Sequence, residues 1–368
     1  MTASDGDACV PPDLTPERYR FFVLTCRDPR HDFRLPLVQA LRQRTEAYSI
    51  WLRRTPLISG PRSDDPEREI SIPALLRFIR TVPRHDRVNV FLDSTNTYFP
   101  AFGLALRAIA PPSVWCFDLH DDLRYHNTGL KRWREGRIVA ALCRTSDAVV
   151  HAAPSLTELF PRSQHLGNAS HLGPLDLSQA SWDDILVIAS FDERLDFSFL
   201  ADLAAASPEL RFHLHGWTRP GDTTTQAHIR RLTETHPNVQ YHGAYTMDEL
   251  PGILRRYRIS VAPYRADDPL TRYIDPLRFY HCLNAGLEMV STAIPQARYM
   301  RSCIHVVTDP AACRDTLAAI RAHSALKQPD YAPITWEQRA SRLVEIVSTL
   351  PRTHALLARA DRPAARAP

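Results

Sequence analysis

Between Ile259 and Thr292 the chain reads ISVAPYRADDPLTRYIDPLRFYHCLNAGLEMVST, and no other stretch restricts the fold as much. Ile259 to Pro263 is a short apolar run closed by a proline, the pattern of a buried parallel strand with a loop leaving its carboxyl end. A polar loop from Tyr264 to Ile274 follows. Asp275-Pro276 then opens a helix, with proline in the first turn and an acid beside the positive end of the helix dipole. Leu277, Tyr280, His281 and Asn284 recur on successive turns, Gly286 stops the helix, and Glu288 to Thr292 starts another strand. Strand, loop and helix N-terminus in that order make an anion site at the carboxyl edge of a parallel sheet.

Other apolar runs extend the same α/β pattern over the chain. Strands are expected at Tyr19 to Thr25, Tyr48 to Arg53, Val88 to Leu92, Val114 to Phe117 and Ala148 to His151. A second set is expected at Ile185 to Ser190, Phe212 to Gly216 and Val239 to His242. Helices fall between them, at Leu37 to Arg44, Ile72 to Thr81, Phe102 to Ala110, Leu130 to Arg144, Pro154 to Phe160, Phe199 to Ala206, Met247 to Tyr257 and Ile334 to Leu350. With 368 residues, 44% of them hydrophobic, the chain is long enough for two domains with their own cores. The domains are drawn as a flexible leader at 1–16, a first Rossmann-like domain at 17–175 and a second at 176–334. A helix at 335–351 and a disordered tail at 352–368, rich in Ala, Arg and Pro, complete the chain.

Composition narrows the function. A formal net charge of +4 is too weak for a dedicated nucleic-acid binder and suits anionic substrates or a membrane surface. The seven cysteines include no C-x-x-C pair, so neither a disulfide framework nor structural zinc is expected, and a reducing cytoplasm is. The acidic, polar start is unlike a secretory signal. No run of eighteen apolar residues occurs.

A second chemical stretch, Phe117-Asp118-Leu119-His120-Asp121-Asp122-Leu123-Arg124, follows a buried strand directly. Crowded carboxylates raise one another's pKa, which suits a general base. Asp121 is read as taking the proton of an acceptor hydroxyl, with Asp118 or Asp122 orienting it or serving instead; helix capping is the structural alternative. A metal site is not expected there, because the acids are local. The loop Cys26 to Pro36 lacks the glycines of a dinucleotide turn, and Arg27, Arg30, His31, Asp32 and Arg34 form either a ligand-binding loop or a solvated charged loop. Leu130 to Arg144 sets Lys131, Arg132, Arg134 and Arg137 around Trp133, either a face for anionic lipid or an ordinary solvated face.

The run VAPYR…DPLRFYHCLNAGLEMVST resembles the donor-binding stretch of GT-B glycosyltransferases, a strand ending in Pro, a polar loop and then PLK-x-x-E-x-x-x-x-G-x-x-VV. Pro276-Leu277-Arg278 stands for PLK, and Gly286 and Val290 keep their places. His281 and Tyr273 replace the two glutamates of retaining members. Glu193, Arg194 and Asp196 match a G-x-x-x-E-R-x-D segment with Ser190 for the glycine, Asp248-Glu249-Leu250-Pro251 resembles x-E-L-P, and Asn168 is kept from the N-G-V-D linker. Asp121 falls on the aspartate of an aromatic-x-x-x-Asp segment, and within the family the nearest likeness is to the membrane-associated glucuronosyltransferase of xanthan assembly.

The resemblance implies two Rossmann-like domains facing a cleft, with a C-terminal helix crossing back to the first. It implies transfer of a sugar from a nucleotide-sugar, UDP-linked and with UDP-glucuronate among the candidates, to a hydroxyl of a glycan or lipid-linked acceptor. Inversion is expected. Donor contacts are expected from Arg194, Tyr245, Tyr264, Asp275, Pro276, Leu277, Arg278 and His281, and acceptor contacts from Arg30, His31, Asp32 and Arg34. No cofactor or metal is required, because fixed cations take the diphosphate charge. The expected location is the cytoplasm, at the inner face of the membrane, and no nucleic-acid partner is expected. Local alternatives remain: an Arg–Asp pair at Arg194, a packing role for Tyr245, a surface position for Arg278. A sugar-nucleotide epimerase or a non-catalytic partner subunit would share this architecture.

Overall fold

The computed structural model of the chain describes residues 16–25, 34–51, 87–94, 107–108, 112–120, 128–322 and 332–360. Asp121, Asp122, Arg30, His31 and Asp32 lie outside them, as do the helix expected at Ile72 to Thr81 and most of that at Phe102 to Ala110, of which Arg107 and Ala108 are helical. The chain forms two compact units. One comprises Met1–His151, Arg162–Leu166 and Trp336–Pro368; the other comprises Ala152–Pro161 and Gly167–Thr335.

The first unit carries a parallel sheet of β1 (Tyr19–Thr25), β2 (Glu46–Trp51), β3 (Val88–Asp93), β4 (Val114–Leu119), β5 (Ala148–His151) and β6 (Gln164–His165). Their order across the sheet is β2-β1-β3-β4-β5-β6. Every residue of β1, β3 and β4 is buried, which is why these strands read as unbroken apolar runs rather than alternating ones. Phe22 stacks on Phe91 at 4.8 Å and Phe91 on Trp115 at 4.4 Å, a ladder that fixes the register of β1, β3 and β4. Helix α1 (Leu35–Arg42) buries Leu37, Val38 and Leu41, and α2 (Gly129–Thr145) buries Glu135, Val139 and Leu142.

In the second unit the strands are β7 (Ser181–Phe191), β8 (Arg211–Thr218), β9 (Val239–Gly243), β10 (Tyr257–Ala262), β11 (Glu288–Thr292) and β12 (His305–Val307). They lie in the order β12-β11-β10-β7-β8-β9, all parallel. That is the doubly wound order, in which the strand sequence reverses between β7 and β10. Alternate residues of β7 feed two cores: Leu186 and Ile188 join one, Ile185 and Val187 the other. The helices are α3 (Phe197–Ala206), α4 (Thr223–Thr235), α5 (Leu250–Leu254), α6 (Pro269–Arg272), α7 (Leu277–Ala285), α8 (Pro295–Tyr299) and α9 (Pro310–Ala322). Gly216 in β8 has φ +153°, and a Cβ there would lie 1.7 Å from the carbonyl oxygen of Ala189, so no other residue fits beside β7.

Two C-terminal helices, α10 (Trp336–Ser348) and α11 (Pro351–Ala360), belong to the first unit, as a returning helix requires. Trp336, Ala340, Leu343 and Val347 recur at helical spacing and are buried, and α10 packs on α1.

The structure corrects three expectations. Arg352 to Ala360 is helix rather than disordered tail, anchored by buried Thr353 and Leu357. The helix expected from Met247 to Tyr257 shrinks to α5, because Tyr257 opens β10 and its hydroxyl lies 3.0 Å from His215 Nε2. Pro276 is the N-cap of α7, not its first turn.

Candidate functional site

In an open, doubly wound sheet, ligands bind beyond the carboxyl ends of the strands where their order reverses. Here that point lies past Phe191 and Ala262, the ends of β7 and β10. The two loops leaving them are tied together. Asp196 N–H donates to the Pro263 carbonyl at 2.8 Å, and Arg265 N–H donates to the Arg194 carbonyl at 2.9 Å. Asp196 caps α3 by accepting from Phe199 N–H at 2.9 Å. The β10 loop is held from β11 as well: Thr292 Oγ1 accepts from Tyr264 N–H at 2.9 Å and donates to the Tyr264 carbonyl at 2.7 Å.

Tyr264 is the hub of this place. It is buried, and burial pushes its phenol up while Arg278 and Arg194 pull it down and Asp192 and Asp275 oppose them. The Arg278 guanidinium sits 4.7 Å from the centroid of the Tyr264 ring, a cation–π contact. Burial pushes the Tyr245 phenol up to about 12, and Arg278 is the cation that offsets it. The structure therefore brings Arg278, Tyr264, Tyr245, Arg194 and Asp275 to one locality, at the N-terminus of α7.

Their chemistry differs. Arg194 is engaged by Asp192, with Nε 3.0 Å from Oδ1 and Nη2 2.5 Å from Oδ2. The local Arg–Asp pair is thus formed. Asp275 is structural: it accepts from Asn168 N–H at 2.6 Å and from the Tyr280 hydroxyl at 2.7 Å, and its carbonyl accepts from Asn168 Nδ2 at 2.6 Å. His281 is buried and lies 2.8 Å from Ser170 Oγ through Nδ1. Burial, reinforced by His171, pushes its imidazole down to about 3, so the ring is neutral. Pro276 is buried and Leu277 begins α7.

Arg278 alone of the charged candidates described here keeps its charge uncommitted. Among the described residues it has no carboxylate partner, and its Nη1, enclosed by protein, has no hydrogen-bond partner. An enclosed guanidinium nitrogen without an acceptor is costly unless a ligand supplies one. The adjacent N-terminal amides of α7 add a positive pole.

The first unit contrasts with this. Asp118, at the carboxyl end of β4, is fully buried. Its Oδ2 accepts from Arg34 Nε at 2.9 Å and Ser94 Oγ at 2.5 Å, its Oδ1 accepts from Arg34 Nη2 at 2.9 Å, and His120 Nε2 lies 2.9 Å from Oδ2. Burial alone would raise this carboxyl, but Arg34 and His120 outweigh it and hold Asp118 well below the usual carboxylate range. A sealed, ionised carboxylate is a poor base, which argues against the expectation that Asp118 serves as one. Arg34, expected to face an acceptor, is itself fully buried on Asp118 and lies 5.9 Å from the Trp336 ring.

Sequence reasoning missed Thr292 and Gln296. Gln296 Nε2 donates to the Tyr280 hydroxyl at 3.2 Å and so supports the Tyr280–Asp275 contact. Polar residues at the end of an apolar strand and in the first turn after Pro295 were the signal available.

No family model matches the chain, and no curated protein is similar to it in sequence. Solved structures are similar in fold. A sucrose-phosphate synthase from Thermosynechococcus elongatus aligns with TM-score 0.64 at 14% identity over 92% of this chain and 96% of that one. Anabaena HepE in complex with UDP aligns with TM-score 0.59 at 12% identity over 92% and 97%. An alpha-glucosyltransferase in complex with UDP and a 13-mer DNA aligns with TM-score 0.56 at 10% identity over 92% and 97%. The narrower likeness to a glucuronosyltransferase of xanthan assembly is not carried by these structures. Two parallel six-stranded sheets, the doubly wound order of the second and alignment over nearly the whole length of these enzymes identify the chain as having the GT-B fold of glycosyltransferases.

Proposed function

We propose that the protein is a glycosyltransferase that moves a sugar from a UDP-sugar to a hydroxyl of a glycan or lipid-linked oligosaccharide. The observation that carries this reading is Arg278: a half-buried cation with an unfilled, enclosed donor, at the reversal point of a doubly wound sheet and at a helix N-terminus. A diphosphate supplies the missing acceptor. Arg278 and the α7 amides take the negative charge that develops as the nucleoside diphosphate leaves, and the reading assigns this role to fixed protein groups. Arg194, neutralised by Asp192, contributes less. HepE has been solved with UDP-glucose and with UDP, which supports a UDP-linked donor.

The base is assigned to Asp121, on its place in the sequence beyond β4. With Asp118 sealed by Arg34, the neighbouring Asp121 and Asp122 are the carboxylates left for proton transfer. The acceptor hydroxyl loses its proton to Asp121 and attacks the anomeric carbon from the face opposite the diphosphate, so the configuration inverts. Asp121→Asn is expected to lower transfer on the order of 100- to 10,000-fold while UDP binding stays normal.

A thermal-shift screen of UDP-sugars tests the donor, since a ligand that binds only the native state raises its apparent stability. Transfer to glycan acceptors then tests the reaction, and the anomeric configuration of the product by NMR tests inversion. Turnover of the donor without any acceptor would indicate an epimerase instead. UDP-sugar binding with no transfer to any glycan would indicate a non-catalytic subunit.

A further inference from the structure

Helix α2 carries its apolar residues on two opposite faces. Glu135, Val139 and Leu142 face the interior of the first unit. At 100° per residue, Leu130, Trp133, Arg134 and Arg137 lie together on the opposite side. Leu130 is 79% exposed and Trp133 62% exposed, among the described residues the two most exposed large hydrophobics apart from Tyr299 at 63%. Arg134 and Arg137 are exposed beside them, and Lys131 and Arg132 are exposed elsewhere on the first turn. Arg137 lies 5.6 Å from the Trp133 ring. Among the described residues Lys131, Arg134 and Arg137 have no ion-pair partner, and Glu135, the one acid of the helix, points inward.

This arrangement opposes what folding alone favours. Cations in the first turns of a helix meet the positive end of its dipole, and a solvent-exposed Leu and Trp gain nothing from water. Both costs vanish against a partner that is anionic at its surface and apolar beneath. Trp at the headgroup level, Leu below it and arginines reaching back to phosphates are the pattern of a helix lying in a membrane interface.

We infer that the outer face of the first two turns of α2 seats the protein on an anionic lipid membrane. The exposed Leu130 and Trp133 favour lipid over nucleic acid, which would match the cations but leave both apolar side chains without a partner. The inference rests on this face alone and stands or falls separately from the transferase reading.

Sedimentation of the full chain with phosphatidylcholine vesicles, with and without phosphatidylglycerol, tests it. The wild-type protein is expected to bind the anionic vesicles, less so as salt rises. Leu130→Ser with Trp133→Ser, and Arg134→Glu with Arg137→Glu, are each expected to lower partitioning roughly tenfold or more. Thermal stability should be unchanged, because all four side chains are solvent-exposed. Brominated lipid should quench tryptophan fluorescence in the wild type and much less in Trp133→Phe, a readout that survives if a double variant folds poorly. Absence of wild-type binding, binding that survives either double variant, or equal quenching in Trp133→Phe would overturn the inference. Displacement of the vesicles by a single-stranded oligonucleotide, with the serine variant retaining its grip on that oligonucleotide, would assign the face to nucleic acid and overturn it too.

Discussion

Each half of the molecule sets an arginine beside the carboxyl end of a parallel sheet, and the two arginines have opposite fates. Arg34 in the first unit is closed on Asp118, with both groups fully buried and further donors from Ser94 and His120. Arg278 in the second unit lies over Tyr264 with an enclosed nitrogen that no described residue satisfies. A charge at a strand end is therefore not by itself a functional group. It becomes one where the fold leaves its charge unmatched. Arg34 is matched by a buried carboxylate, whereas Arg278 has no carboxylate partner among the described residues.

The largest expected consequence is on stability. Arg34→Ala leaves Asp118 charged, buried and stripped of its bidentate partner, which should cost about 3–5 kcal/mol. Calorimetric unfolding checks this, and a drop within experimental noise would mean that the ion pair is not the seal it looks like. Arg278→Ala removes no such partner and should leave unfolding nearly unchanged.

Acid should come next. Burial pushes His151 in the first unit and His215 in the second down to about 4, and His281 in the second down to about 3, all below the ordinary 6.5. His215 is also stacked 4.4 Å from His242. These rings stay neutral in the folded protein while the unfolded chain binds their protons. Above pH 6.5 they make no difference. As pH falls from 6.5 towards 4, each should lose stability on the order of 2 kcal/mol, and below their folded values the loss levels off. His215→Gln or His281→Gln should flatten that slope in a pH series of denaturant titrations. A slope unchanged in both variants would relocate the acid sensitivity.

Smaller effects separate the cap from the local pair. Asp196→Ala removes the α3 N-cap and should cost about 1 kcal/mol. Arg194→Ala breaks a partly buried local pair with Asp192 and should cost about 1 kcal/mol or less. If Arg194→Ala proved the more damaging of the two, Arg194 would carry a structural load that its contacts do not show.

Much of the architecture was legible because both sheets are parallel and buried on both faces. Unbroken apolar runs such as FFVL in β1 and ILVIAS in β7 identify themselves, and Gly286, at φ +92°, marks the end of α7 as its sequence position implied. Helix α4 escaped notice because TTTQAHIRRLTET offers Ile229 and Leu232 as its only large buried apolar residues. Helix α11 was hidden by its Ala- and Arg-rich composition. At the site, the strand–loop–helix order pointed to the N-terminus of α7, and the resemblance of Pro276-Leu277-Arg278 to PLK pointed to Arg278. No local pattern could reveal that Asp118, 84 residues from Arg34 in sequence, takes up that arginine, because the pairing is set by tertiary folding. The pair of Arg194 with Asp192, two residues away, was by contrast legible as the local alternative and is formed.

We propose that Arg278 is held open for a diphosphate. Isothermal titration of UDP and of uridine into the wild type and Arg278→Ala tests it most directly, since the two ligands differ only in the diphosphate. UDP is expected to weaken about ten- to a hundredfold in the variant, the worth of a lost charge-assisted contact, while uridine binds as before and the melting temperature holds. UDP affinity that is unchanged, or UDP and uridine falling together, would contradict it.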